Sequence, residues 1–378
     1  MLPSETPTFD VRGVSDLADP LAAFRCAVAD AARAMAAIGA TPGDVVAMTW
    51  TARIPACIHP IRTEVDLALR EVFAGVRAPI SLRAADHDGV AVGVQLRAPK
   101  PLSSDPVYRG LALSELARAY SPRATVSNIG AIFETWRTDG AAFRARHLTV
   151  ELQYGPTHGE TLDLYVPPNT RGPLPLWIFI HGGYWQAIDK AHNAQFAAGM
   201  LAHGYAVAML NYTLAPPASL AEIVRQIQAA VVFLAREATA LGCDPNAMHI
   251  AGHSAGGHLA AMIACLPEGQ LIRSSLALSG LFDLEPLALL PMGRLVQFNT
   301  ADAIARLSPQ RFQPLPNVTI GVAVGGDESL EFQRQSTTFA TAWNSAPCRI
   351  IADQNHFSLL DGLNGGALLD FALEIARA

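Results

Sequence analysis

The chain has 378 residues, of which 51% are hydrophobic and 16% charged, and its formal net charge is −6. This composition is typical of a soluble globular protein with a large core, and the length suggests two or three domains. The modest acidic charge, with no basic run or stripe, argues against nucleic acid as a partner.

Residues 1–98 are predicted to form a small α+β domain. Its predicted elements are a helix over 21–38, a strand at 45–50, a helix at 64–73, and a closing hairpin made from 80–82 and 90–96. Residues 99–106 follow, with three prolines and two serines in eight positions. Such a segment is typical of an extended linker.

Residues 107–378 alternate apolar strands with helical stretches, which predicts a mostly parallel, doubly wound α/β sheet. The predicted strands lie near 147–154, 161–166, 176–180, 206–210, 247–251, 274–279, 318–324 and 348–351. The predicted helices lie within 108–136 and at 195–202, 220–241, 257–265 and 367–376.

The most informative motif is Gly252-His253-Ser254-Ala255-Gly256, which has the form G-x-S-x-G. It follows the apolar run 247–251 and opens the helix 257–265. This strand–turn–helix context is the one that a nucleophile elbow requires, with the serine held at a strained turn. Ser254 is therefore the candidate nucleophile.

A second glycine-rich turn lies about 70 residues upstream. The apolar run 176–180 ends in His181-Gly182-Gly183. Glycines let the main chain approach a substrate, so the N–H groups of Gly182 and Gly183 are candidate donors to a developing oxyanion. The N–H of Ala255, the residue after the nucleophile, is the third.

A serine nucleophile needs a base, and the base needs a group that orients it. His356 is the candidate base because it follows the final strand, where this architecture places its histidine. Asp327 is the preferred acid because it follows the strand 318–324. Its neighbour Glu328 and Asp283, one strand earlier, remain open alternatives.

Residues 107–378 resemble the kynurenine formamidase (arylformamidase) group of α/β-hydrolases, which is close to the carboxylesterase and lipase families. The matching segments are 114–123, 154–155, 162–165, 181–186, 211–216, 252–259, 278–284, 331–336 and 355–357. The resemblance implies Ser254 as nucleophile, Asp327 as acid and His356 as base. It also implies hydrolysis of small aryl formamides or esters, of which N-formylkynurenine is the best-known example, without metal or organic cofactor.

Residues 1–98 look like a truncated Rid (YjgF-type) imine deaminase domain, through the segments 36–49 and 73–79. The opening strands of a full Rid domain are mostly missing. The position at which that family has its substrate-binding arginine corresponds to about Ile80 in this chain. Gln95 lies where that family usually has a carboxylate. An assembly role is therefore preferred, with a homo-oligomer formed through this domain.

These observations predict a serine hydrolase acting on a small-molecule amide or ester, with an aryl formamide as the preferred substrate. The alternatives are a carboxylesterase for small acyl esters, a bifunctional imine deaminase and hydrolase, and a ligand-binding pseudo-hydrolase without catalysis. Tyr184, Trp185 and Phe282 are candidates to line the substrate pocket. Neither a cofactor nor a metal is expected, because no histidine, cysteine and carboxylate cluster has ligand spacing.

The cytoplasm is the expected compartment. Residues 1–7 have neither a charged nor an apolar signal region, and no apolar run approaches the ~20 residues that span a bilayer. The five cysteines are scattered, which is typical of free thiols in a reducing compartment. Membrane partners are accordingly not expected.

Overall fold

The computed structural model describes residues 105–343 and 346–378 in full, together with the backbone of four strands between residues 8 and 96. The chain divides into two compact units, Met1–Arg118 and Ala119–Ala378. The helices predicted at 21–38 and 64–73 and most of the predicted linker lie outside the described residues. So do Cys26 and Cys57.

The described part of the first unit is a four-stranded sheet. Its strands are β1 (Thr8–Arg12), β2 (Val45–Ala52), β3 (Ile80–Ala84) and β4 (Val90–Leu96). The strand order is β1-β4-β2-β3, with β2 and β3 parallel and β4 antiparallel to both of its neighbours. The edges of this sheet are therefore β1 and β3.

The predicted hairpin between 80–82 and 90–96 is wrong, although both segments are strands. β2 lies between them, so β3 and β4 are not paired. β2 has eight residues and β3 only five, so β2 offers β4 a longer backbone ladder. The turn signal at Asp88-Gly89 indicated a local pairing, and the longer non-local ladder prevails over it.

The second unit is built around an eight-stranded sheet. Its strands are β5 (Val150–Gln153), β6 (Thr161–Tyr165), β7 (Leu174–Ile180), β8 (Ala206–Leu210), β9 (Cys243–His253), β10 (Ser274–Leu278), β11 (Thr319–Gly325) and β12 (Cys348–Ile351). The order is β12-β11-β10-β9-β7-β8-β6-β5. β6 is antiparallel to β5 and β8, and the pairs from β8 to β12 are parallel. The predicted mostly parallel α/β sheet is confirmed.

Helices alternate with these strands. The α-helices are α1 (Leu113–Ala119), α2 (Ile129–His147), α3 (Ala198–Ala202), α4 (Leu220–Glu237), α5 (Ala255–Cys265), α6 (Glu285–Ala288), α7 (Pro291–Leu295), α8 (Ala301–Leu307), α9 (Leu330–Ala342) and α10 (Ala367–Arg377). Short 3-10 helices lie at Pro122–Thr125, Lys190–Ala197, Pro267–Leu271, Pro309–Arg311 and Ser358–Asn364. Among the described helices, none is long and apolar enough to cross a membrane.

The two faces of the sheet bury alternate residues of each strand. On β7, Trp177 and Phe179 join a core formed with α2, α10 and the 3-10 helix Lys190–Ala197. Ile178 and Ile180 point to the other face, where α4 and α5 pack, and both are fully buried. Because the central strands are apolar on both faces, they read as continuous hydrophobic runs. Those runs are what made them predictable.

Two histidines of this core are held in the neutral form. His249 on β9 has its Nδ1 2.9 Å from the hydroxyl of Ser274. His258 on α5 has its Nε2 2.7 Å from the carbonyl oxygen of Leu307, so Nε2 carries the proton and donates it. Burial lowers the pKa of each imidazole to about 4, because the charged form would lose its hydration.

Acidification should therefore destabilise the protein. The unfolded chain binds protons at these histidines below pH 6.5, whereas the folded protein resists protonation until about pH 4. The free energy of unfolding then falls as the pH drops through this window, by on the order of 2 kcal/mol per histidine at pH 5. Urea unfolding between pH 5 and 8 measures the slope, and His258→Asn should reduce it.

His158→Asn is the matched control, because His158 is exposed to solvent. We expect this variant to keep the pH slope of the original chain. An unchanged slope in His258→Asn as well would show that His258 is not held neutral by the fold.

Candidate active site

The turn between β9 and α5 carries Ser254 in a backbone conformation that is rare for a residue with a side chain. Its φ is +57° and its ψ −117°. The Ser254 N–H donates to Leu278 O at 2.8 Å, and its carbonyl oxygen accepts from His258 N at 3.1 Å. Strained backbone persists only where the surroundings hold it in place. The neighbouring strand and helix do so here, as the elbow motif predicts.

The flanking glycines are needed because backbone segments meet at this turn. A Cβ on Gly252 would lie 2.1 Å from Gly256 O, and a Cβ on Gly256 would lie 2.0 Å from Ile180 O. Neither contact is possible for a residue with a side chain. The G-x-S-x-G pattern thus follows from close packing of β7, β9 and α5.

The loop after β7 reaches the elbow directly. A Cβ on Gly182 would lie 3.1 Å from Ser254 Cβ, so Gly182 is a neighbour of the serine. Gly183 has a φ of +92° and accepts backbone hydrogen bonds from residues 186 and 187. Within the described residues, the N–H groups of Gly182, Gly183 and Ala255 have no acceptor. Three free donors therefore lie at or next to the Ser254 turn.

His181, the first residue of this loop, holds the loop in place through its side-chain contacts. Its ring stacks on Tyr212 with ring centroids 4.4 Å apart, and its Nε2 lies 3.0 Å from Asn211 Oδ1. Burial lowers the pKa of His181, so the imidazole stays neutral. Its contacts hold the loop in position, which explains why a histidine precedes the two glycines.

His356 lies in the loop after β12 and binds a buried carboxylate. Its Nδ1 is 2.6 Å from Glu328 Oε2, and the two side chains are 4% and 1% exposed. The carboxylate therefore fixes the tautomer of His356 with the proton on Nδ1, leaving Nε2 to accept a proton. The carboxylate at this nitrogen belongs to Glu328, the alternative acid, and not to the preferred Asp327.

Glu328, and not Asp327, is the partner of His356, and the geometry of the turn after β11 explains this. Glu328 N donates to Gly325 O at 3.3 Å, which closes a four-residue turn. Asp327 is the third residue of that turn and is exposed at its tip, whereas Glu328, the fourth, is buried. The other alternative, Asp283, accepts a hydrogen bond from Glu285 N at the start of α6.

Sequence reasoning missed a second histidine of the site. His253 precedes Ser254, and its Nε2 lies 2.8 Å from the carbonyl oxygen of His356, to which it donates. The rings of His253 and His356 are 4.5 Å apart. Burial and the neighbouring His356 hold the pKa of His253 well below its usual value. The elbow and the His356 loop are therefore tied together through the residue at the variable position of the motif.

The three expected pocket residues differ in their surroundings. The hydroxyl of Tyr184 donates to the Tyr120 carbonyl, and its side chain is half-buried. Trp185 is fully buried, with its ring 5.2 Å from that of His258. Phe282 is fully buried and stacks on Phe339 at 3.8 Å, so its contacts give it a core position and do not support a place in the pocket.

The arrangement has the parts that nucleophilic acyl transfer requires. A serine lies at a helix N-terminus, free N–H groups lie beside it, and a histidine oriented by a carboxylate lies on an adjoining loop. No group of three potential metal ligands occurs among the described histidines, cysteines and carboxylates.

Comparison with known proteins gives the same class of chemistry. The family model designated BD-FAE matches residues 162–279, which include both glycine-rich turns. A kynurenine formamidase from Danio rerio is 30% identical over 237 residues, covering 58% of this chain and 79% of the relative.

Two solved structures have the same fold. A candidate thioesterase from Silicibacter sp. tm1040 is 32% identical with a TM-score of 0.62, covering 69% of this chain and 98% of that one. Esterase B from Lactobacillus rhamnosis is 20% identical with a TM-score of 0.53, covering 66% and 94%. Both alignments therefore cover most of the known structure and about two thirds of this chain.

Proposed function

This chain belongs to the kynurenine formamidase family of α/β-hydrolases, and from that premise we propose that it hydrolyses an aryl formamide of the N-formylkynurenine type. Cleavage of an amide or ester bond by a serine-type α/β-hydrolase is the established part of this function. The formyl group and the residues that act on it are the part we propose. The observation that supports the residues is the His356–Glu328 contact beside the strained turn at Ser254, and the formyl group is proposed from the likeness to the kynurenine formamidase.

In the proposed reaction, the Ser254 hydroxyl attacks the formyl carbon while His356 Nε2 takes the hydroxyl proton. Glu328 stabilises the imidazolium that forms, because its negative carboxylate accepts the hydrogen bond from the Nδ1–H group. The negative charge on the carbonyl oxygen is stabilised by the N–H groups of Gly182, Gly183 and Ala255. Each such donor is worth roughly 10²–10³ in rate.

The intermediate then collapses with cleavage of the carbon–nitrogen bond. His356 returns its proton to the departing arylamine, and the formyl group remains on Ser254 as an ester. Water, deprotonated by His356, attacks this ester; the bond to Ser254 Oγ then breaks, His356 returns the proton to Oγ, and formate is released. The same residues therefore serve both halves of the reaction.

Hydrolysis of small acyl esters is the second candidate, and the 32% identity to the candidate thioesterase supports cleavage of an ester-type bond. The acyl-enzyme route is common to both reactions, because Ser254 attacks the carbonyl carbon of the acyl group in an ester as it does in a formamide. The two activities differ in the acyl group accepted and in the leaving group that His356 must protonate. An alkoxide or thiolate needs less help from an acid than an arylamine does.

The function is tested by measuring kcat/KM for N-formylkynurenine beside aryl acetate and aryl butyrate esters. We expect turnover of the formamide with a higher kcat/KM than that of either ester, because the relative from Danio rerio is a kynurenine formamidase. Ser254→Ala should lower kcat by about 10⁶ on each substrate that is turned over, since loss of a triad nucleophile has this effect. The same variant should lose covalent labelling by a fluorophosphonate while its circular dichroism spectrum is unchanged.

Labelling of another serine in Ser254→Ala would contradict the assignment of Ser254 as the nucleophile. Full ester turnover without any formamide turnover would leave the nucleophile in place and replace the formamide by an ester as the substrate.

The choice between the two adjacent carboxylates is tested separately. Glu328→Gln should lower kcat by about 10⁴, because the neutral amide cannot stabilise the imidazolium and its NH2 group can hold His356 in the wrong tautomer. Asp327→Asn is the matched control and should change kcat by less than about twofold, since Asp327 is exposed at the tip of the turn. Steady-state kinetics on purified variants decide the point, and a larger loss in Asp327→Asn would contradict the His356–Glu328 pairing.

A further inference from the structure

We propose that Ser279 is a positioning residue of the site, which holds the carboxylate of Glu328 against His356. The inference rests on the proposed function, because it concerns the acid of that same site. Ser279 follows β10, one strand away from the elbow, and it belongs to none of the motifs that identify the nucleophile, the base or the oxyanion donors.

The carboxylate of Glu328 is held at both of its oxygens. Oε2 accepts from His356 Nδ1 at 2.6 Å, and Oε1 accepts from Gly325 N at 2.8 Å. The hydroxyl of Ser279 donates a second, short hydrogen bond to Oε1. Among the described residues, Ser279 and His356 are the two side chains that donate to this carboxylate. Ser279 therefore supplies the side-chain contact opposite the histidine.

Burial makes these donors necessary. The side chain of Glu328 is 1% exposed, so water cannot solvate its charge. A buried carboxylate stays ionised only when hydrogen bonds replace its hydration. Gly325 N provides one such bond whatever the side chains are. The hydrogen bond from the Ser279 hydroxyl, in contrast, requires a serine side chain at this position.

The length of the glutamate side chain is a second reason why the carboxylate needs a hydrogen bond from Ser279. Glutamate has one more rotatable bond than aspartate, so its carboxylate is less constrained by the backbone. Glu328 reaches from the turn after β11 to the loop after β12. The Ser279 hydroxyl, at the end of β10, fixes the orientation of the carboxylate from the side opposite His356. The same contact explains how a glutamate serves at this position.

The backbone of Ser279 indicates that its side chain is specifically required. Its φ is +48°, in the region that favours glycine, and it is fully buried. Its N–H donates to Ala323 O on β11 at 2.7 Å, which holds the residue in this conformation. Glycine would adopt this backbone without strain. A serine at such a position is stabilised by the hydrogen bond that its hydroxyl makes to Glu328.

The test replaces Ser279 by glycine, in the original chain and in Glu328→Gln. Ser279→Gly should remain folded, because relief of the positive φ offsets part of the stability lost with the hydrogen bond. It should lower kcat by about 10- to 100-fold, which corresponds to one hydrogen bond to a buried charge. KM should not change, because the hydroxyl has no contact with substrate. In Glu328→Gln the same substitution should have less than about a twofold further effect.

Ser275→Ala is the matched control on the same strand. Ser275 is buried and its hydroxyl donates to Ala260 O at 3.1 Å, away from Glu328. This variant should lose stability and keep kcat. Equal losses of kcat from Ser279→Gly in both backgrounds, or a full kcat in the original chain, would overturn the proposal. If Glu328→Gln itself kept full activity, the fault would lie in the proposed acid and not in Ser279 alone.

Discussion

The site depends on close packing of backbone at the elbow between β9 and α5. Gly252, Gly256 and Gly182 let three chain segments meet at the Ser254 turn, and a Cβ on any of them would lie less than 3.0 Å from a backbone oxygen. This packing holds Ser254 at a positive φ and places the N–H groups of the loop after β7 beside it. Strain in the turn is thereby maintained by the sheet and the helix on either side.

The parallel sheet brings the remaining parts to the same edge, because the carboxyl ends of parallel strands lie together. β9 ends at the nucleophile, β10 at Ser279, β11 at the turn with Glu328 and β12 at the loop with His356. The hydrogen bonds that Ser279 and His356 donate to the Glu328 carboxylate join three of these strand ends. Burial removes water from this chain of contacts, so each charge depends on its protein partners.

Much of this could be predicted from the sequence, and the failures have physical causes. The central strands, Ser254 and His356 follow from apolar runs and from their places at strand ends. The sequence places Asp327 and Glu328 side by side after the same strand. It does not show which residue of a tight turn faces the core, so the choice of Asp327 over Glu328 fails. The helices between 285 and 307 and the helix 330–342 were missed, since their apolar periodicity is short. The hairpin within 80–96 failed because a non-local strand pairs more extensively than its neighbour in sequence.

The most direct test of the account is a crystal structure of the protein after reaction with an aryl phosphonate, which mimics the tetrahedral intermediate. We predict a covalent bond from phosphorus to Ser254 Oγ. One phosphonyl oxygen should lie within 3.1 Å or so of the N–H groups of Gly182, Gly183 and Ala255. His356 should remain bonded to Glu328. A phosphonate attached elsewhere, or an oxygen directed away from these N–H groups, would contradict the account.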